Sequence, residues 1–174
     1  LDMNTSGLLI VAKNSHAQDS LTKQMNAEAR GLHKKYKAIV VGEMPEDSGT
    51  IDLPLGRPDE NEVERWVLPV EKGGYPSVTH YKVLDRFGGY SLVELELETG
   101  RTHQIRVHLA WRNHPILGDT VYGHKKPELG QSSQCLHARA LTFRHPRTGE
   151  PVTVTCPLPD YFQDVLQKLE RADG

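Results

Sequence analysis

"YSLVELELETGRTHQIRVHLAWRN", Tyr90 to Asn113, changes its hydrophobic period half-way along, and that change decides the fold. Val93, Leu95 and Leu97 alternate with Glu94, Glu96 and Glu98, the period-two pattern of a strand with one wet face. After Gly100 the spacing turns helical, and Thr102 to Arg112 is predicted as a helix. Asn113 suits the left-handed residue that ends a helix, and Pro115 cannot continue one. Upstream, Gly88-Gly89 after Phe87 predicts a hairpin leading into the strand.

Working outward, Ser77 to Arg86, Glu64 to Val70, Lys34 to Gly42 and Leu8 to Lys13 read as strands. Ser15 and Gln18 have the spacing of a capping box for a helix in which Ala17, Leu21 and Met25 share a face, ending near Arg30-Gly31. Pro45, Ser48 and Gly49 mark a loop. Leu136 to Arg144 and Pro151 to Thr155 are strand-like, and Tyr161 to Arg171 reads as an amphipathic helix. Sequential strands with few helices predict an α+β domain on a mostly antiparallel sheet. At 174 residues and 37% hydrophobic, one catalytic domain with a sizeable core is expected over 1–174. No apolar run reaches the length of a membrane span, so a soluble chain without a membrane partner is expected. Two distant cysteines, Cys135 and Cys156, suit a reducing, cytoplasmic setting.

The net charge of -2 hides a segregation of charge. Acids crowd Glu43 to Glu64 against the single base Arg57, while Thr99 to Glu150 is rich in arginine, lysine and histidine. With Lys34, Lys35 and Lys37 these bases form either one basic face or ordinary solvated charge. No phosphate-binding glycine loop is present. Ser6, in Thr5-Ser6-Gly7, lacks the first glycine of a nucleophile elbow and reads as a turn former. A helical step from His103 to His108 separates the side chains by roughly 140°, where a metal pair wants i and i+4, and Cys135 with His137 has no second ligand pair at a zinc spacing. No metal is expected.

Cationic residues at the start of the Thr102 to Arg112 helix favour an anion. Arg106 shares a helical face with Thr102 and Ala110. Turned inward, its guanidinium needs a buried carboxylate, for which Asp2 is a candidate; turned outward, it forms a surface pair of little consequence.

Four segments, in order, carry a family resemblance. "LDMNTSGLLIVAK" resembles the R-L-D-x-x-T-S-G-L segment of the RluA-type pseudouridine synthases, and "KKYKAIVVGE" their K-x-Y-x-A-x-V-x-G strand. "ETGRTHQIRVHLAWRNHPILGDTVYG" is similar to their T-G-R-T-H-Q-I-R-V-H and H-P-I-x-G-D-x-x-Y-G segment, and "CLHARALTFRHP" to their L-H-A strand. The resemblance runs from Leu1 to about Pro157. It implies a pseudouridine-synthase-like fold and an isomerase that converts uridine in ribosomal or transfer RNA to pseudouridine. The N1 glycosidic bond breaks, the uracil rotates and C5 joins C1′, with no net redox change and no cofactor. Asp2 falls on the catalytic aspartate, Tyr36 on the tyrosine that packs against the base, Arg106 on the arginine paired with the aspartate, and Leu136 on an apolar pocket residue.

That chemistry needs an ionised carboxylate, which a neighbouring guanidinium favours, and a closed pocket that holds the detached base. Attack at C1′, attack at C6 and proton removal from the sugar are all open to the carboxylate. The target uridine must leave its stack, and phosphate contacts offset that cost. Arg101, His103, Lys34, Lys35 and Arg139 are the expected RNA contacts, with RNA the expected partner of a monomer. Three departures stand out. The His-Arg that precedes Leu-Asp in the family is missing, so the chain reads as cut within the active-site motif. Tyr75 stands where lysine is frequent, and Asn113 where glycine is usual. A catalytically idle RNA-binding module and a metal-dependent hydrolase are the rival readings.

Overall fold

Ala38, Ile39 and Val40 are consecutive and wholly buried, so the strand that carries them is covered on both faces. The computed structural model describes residues 1–25 and 31–173. In chain order its elements are β1 (Ser6–Gly7), α1 (Ser15–Met25), β2 (His33–Val41), β3 (Ser48–Asp52), β4 (Leu55–Gly56), β5 (Trp66–Val67), β6 (Val78–Phe87), β7 (Tyr90–Leu97), α2 (Gln104–Trp111), β8 (Leu136–Arg144), β9 (Pro151–Thr155) and α3 (Asp160–Asp173). The main sheet runs β1-β8-β2-β7-β6-β3, with β9 also on β8, and β4 and β5 form a small separate hairpin. Every main-sheet pairing is antiparallel except the two-residue parallel pairing of β1 with β8.

The Tyr90 stretch folds into the strand and helix its pattern predicts, except that α2 begins at Gln104 and Thr102-His103 form a turn ahead of it, so Thr102 does not share the helical face of Arg106. Ser91, Val93 and Leu95 are buried, while Glu94 and Glu96 stay partly exposed. The β6–β7 hairpin closes at Phe87 and Tyr90. Asn113 takes φ 63°, the left-handed conformation expected after α2. In α3, Phe162, Val165 and Leu169 are buried one turn or two apart and join the core, as an amphipathic helix should.

Five local expectations need correction. Leu8 to Lys13 forms no strand: after Leu8 N–H donates to the Ala138 carbonyl at 3.0 Å, β9 occupies that edge of β8 from Ala140 onward, and the segment must diverge. The turn before it centres on Met3-Asn4, with Thr5 N–H on the Asp2 carbonyl at 3.1 Å and Asn4 at φ 67°, so Ser6 and Gly7 are strand residues. The cap of α1 is Asn14, whose Oδ1 accepts from Ala17 N–H at 2.8 Å, one residue ahead of the expected Ser15. Ser48 and Gly49 belong to β3, an edge strand on which Gly49 leaves room for the Tyr81 ring. Glu64 to Val70 contains only the short β5, followed by a 3₁₀ turn at Val70–Lys72. The expected helix end near Arg30 lies outside the described residues.

Candidate active site

The junction between β7 and α2 is fixed by one buried amide. Gln104, 2% exposed, accepts at Oε1 from Thr99 Oγ1 (2.7 Å) and Arg101 N–H (3.1 Å), and donates from Nε2 to the Val78 carbonyl (3.0 Å) and Thr79 Oγ1 (2.9 Å). Thr99 to Gln104 is thereby held as a rigid turn, in which His103 takes the unusual φ of 57°. From there α2 points Arg106 inward, where it is 6% exposed.

Arg106 finds two carboxylates there. Nε and Nη2 donate to the two oxygens of Asp119 at 2.8 and 3.0 Å, a forked pair buried on both sides, and Nη1 lies 3.8 Å from Asp2 Oδ2. Asp119 Oδ1 also accepts the N–H groups of Val121 and Tyr122, both at 3.1 Å. The Tyr122 ring lies under the guanidinium at 5.0 Å. Burial opposes the Arg106 charge, but the bonds and charge of Asp119, with Asp2 behind them, outweigh it and hold its pKa above the ordinary range. The inward reading of Arg106 is therefore the one the fold adopts, with Asp119 as its closer partner.

Asp2 is positioned from the opposite side by β8 and the segment before it. Gln134, 4% exposed, donates from Nε2 to the Met3 carbonyl at 2.7 Å and to Thr5 Oγ1 at 3.2 Å. Ser6 Oγ lies 2.9 Å from His137 Nδ1 and 3.0 Å from the Tyr161 hydroxyl, tying β1 to β8 and α3. Gly7, at φ 111°, lies so close to β8 that a Cβ there would come within 2.3 Å of the Ala138 carbonyl oxygen. Gln134, Asp119, His137 and Tyr161 escape sequence reasoning as site residues. Asp119 and His137 sit inside the quoted motifs, which was the available signal.

Asp2, Tyr36, Lys34, Arg101, His103 and Leu136 all line one cleft of about 330 Å³. Tyr36 and Leu136 form its buried wall. Burial, and then the nearby Asp2 charge, push the Tyr36 hydroxyl up to about 12, so it stays protonated at neutral pH. Burial lowers the His103 pKa, Asp2 opposing and Arg106 adding to the effect, and its Nδ1 lies 2.5 Å from the Tyr122 hydroxyl. Burial likewise lowers that of Lys34. Lys35 and Arg139 are elsewhere. Period-two alternation turns Lys35 away from Tyr36 to the face of Glu94, 3.5 Å from its Nζ, and Arg139 neighbours Lys37 instead of the cleft. Cys135 is wholly buried, and among the described residues no group of three or more His, Cys, Asp or Glu side chains is arranged to hold a metal.

A carboxylate, an aromatic ring and an aliphatic wall line one cleft, with a guanidinium behind the carboxylate. The family model described as RNA pseudouridylate synthase matches residues 1–111, and the chain belongs to that family. It is 48% identical over 170 residues to an uncharacterized RNA pseudouridine synthase of Chloroflexus aurantiacus, covering 98% of this chain and 52% of that protein. It is 42% identical to the ribosomal large subunit pseudouridine synthase D of Neisseria meningitidis, covering 100% of this chain and 48% of that protein. The chain thus spans about half the length of these curated relatives. Among solved structures, human RNA pseudouridylate synthase domain containing 4 superposes with a TM-score of 0.79 at 26% identity, over 98% of this chain and 74% of that one. Human RNA pseudouridylate synthase domain containing 1 gives 0.72 at 30% identity, over 98% and 78%. The fold is that of the pseudouridylate synthase domain. Among the described residues no helix is long and apolar enough to cross a membrane.

Proposed function

We propose that this chain is the catalytic domain of an RNA pseudouridine synthase, with Asp2 as its catalytic residue. The observation that carries the reading is the Asp2 carboxylate at 3.8 Å from the buried Arg106, in a cleft walled by Tyr36 and Leu136. In the reaction the N1–C1′ bond breaks, C5–C1′ forms, C5 gives up its proton and N1 ends protonated. Atoms and electrons balance within the uridine, with no co-reactant. Arg106, fixed by Asp119, orients Asp2 and counters its charge. The Tyr36 ring and the Leu136 side chain enclose the uracil during its rotation and exclude water. The neutral Tyr36 hydroxyl offers one donor to the base.

Structured RNA is the proposed partner, with Arg101 and Lys34 at the cleft the best-placed cations for its backbone. His103 is placed to help shape the cleft through Tyr122, and Lys35 and Arg139, away from the cleft, are the less favoured contacts. Large-subunit ribosomal RNA is the first substrate to try, because the Neisseria relative bears that name. A monomer at work in the cytoplasm fits the two free thiols, Cys135 and Cys156. The test is to map pseudouridine in ribosomal and transfer RNA from cells with and without the protein, and then to restore each lost site in vitro. Asp2→Asn is expected to lower the rate by on the order of 10²–10⁴-fold. Undiminished isomerisation by Asp2→Asn overturns the assignment, and loss of activity on chelation replaces it with a metal-dependent reaction.

A further inference from the structure

A second cavity, of about 250 Å³, adjoins the cleft and shares Gly100, Arg101 and Thr102 with it. Its remaining walls are Leu55, Gly56 and Arg65 of the β4–β5 region, together with Tyr75. Resting on the isomerase reading, we propose that this cavity is a stacking subsite for the base of a nucleotide next to the target uridine.

Three observations carry this. Tyr75 is 61% exposed, although its backbone is clamped: its N–H donates to the Leu55 carbonyl at 2.8 Å and its carbonyl accepts from Leu55 N–H at 3.0 Å. An exposed ring on an immobilised backbone is a platform that loses little conformational freedom on binding. The Arg101 guanidinium lies over that ring at 5.4 Å, held there by its Nε bond to the Pro76 carbonyl at 3.2 Å. A tyrosine face and a guanidinium plane together suit a nucleobase, since every base presents a π-face. Finally, the charged residues that line the cavity are Arg65 and Arg101, with no acid among its walls, so a base seated there can keep its own phosphate beside a cation. The shared Arg101 sets that base beside the uridine in the neighbouring cleft.

The test measures equilibrium binding of a short oligouridylate and of a length-matched abasic oligoribose phosphate. Tyr75→Ala is expected to weaken oligouridylate binding about tenfold, within the range seen for base stacking on aromatic side chains, and to leave the abasic strand unchanged. Tyr75→Phe should bind both strands as wild type does. The salt dependence should be the same in Tyr75→Ala as in wild type, because no phosphate contact is removed. Equal losses on the two strands, no loss on oligouridylate, or full binding by Tyr75→Lys with a steeper salt dependence would each overturn the subsite. These readouts need no catalysis: absent isomerisation with intact base-dependent binding removes the isomerase reading alone, and the reverse pattern removes the subsite alone.

Discussion

Arg106 reaches Asp2 only along the direction that Asp119 leaves open. With Nε and Nη2 committed to Asp119, the guanidinium cannot swing, and Nη1 must face the cleft. Removing one partner of such a buried pair costs about 3–5 kcal/mol, so Asp119→Ala should lower the unfolding free energy by about that much in urea denaturation. Asp119→Asn is the sharper probe. It keeps the shape, weakens the fork and frees Arg106 to collapse onto Asp2, so kcat should fall while KM changes little; a change confined to KM would refute the positioning role. Asp2, Arg106, Tyr36 and Leu136 were legible because they lie in motifs with a family resemblance. From periodicity alone Tyr36 and Leu136 are indistinguishable from ordinary core residues. Asp119 was not legible: an aspartate between Gly118 and Thr120 reads as a turn residue, and no period links it to Arg106.

The short parallel strand β1 does for Asp2 what α2 does for Arg106. Only Ser6 and Gly7 pair with β8, yet the Ser6 contacts to His137 and Tyr161 and the Gln134 bonds to Met3 and Thr5 surround the Asp2 turn. Gly7→Ala would force a left-handed backbone on alanine and drive its Cβ into Ala138. It should destabilise the protein by more than about 1 kcal/mol and reduce isomerisation further than the lost stability accounts for. A variant with unchanged activity per folded molecule would show that β1 does not position Asp2. Among the long strands β7 was readable from alternation, while β2, β6 and β8 were readable from their strand-like composition. Two-residue strands carry no period, so β1 reads as a turn ahead of a false strand at Leu8 to Lys13, whose Leu9 and Val11 are in fact exposed. Of the two readings open for the lysines, a single basic face does not take in both Lys34 and Lys35, which are neighbours in sequence but lie on opposite faces of β2.

Across the domain, one directed chain of hydrogen bonds ties the junction of β7 and α2 to β6 and to the segment before β4. Gln104 Nε2 donates to Thr79 Oγ1, which is 2.8 Å from His108 Nδ1, and His108 Nε2 donates to the Leu53 carbonyl at 2.9 Å. Burial lowers the pKa of the wholly buried His108, Arg112 adding to the effect while the Leu53 bond and the Asp52 charge oppose it. Between the folded value and the unfolded one of about 6.5, the unfolded chain binds more protons. The stability contributed by neutral His108 is therefore complete above about pH 6.5 and is lost as pH falls toward the lower folded value. Urea midpoints at about pH 7.5 and about pH 5 should differ less in His108→Gln than in wild type. An equal difference in the two proteins would dismiss His108 as the source.

Biosynthesis gives the β1–β8 pairing a further meaning. Asp2 is made before every residue that confines it, and the His137 and Tyr161 partners of its strand lie 131 and 155 positions beyond Ser6. Closing so long a loop is entropically uphill until the sheet already exists. The nascent chain therefore carries its carboxylate on an unpaired segment until β8 and α3 have emerged, and a ribosome stalled before that point releases a product without an organised site.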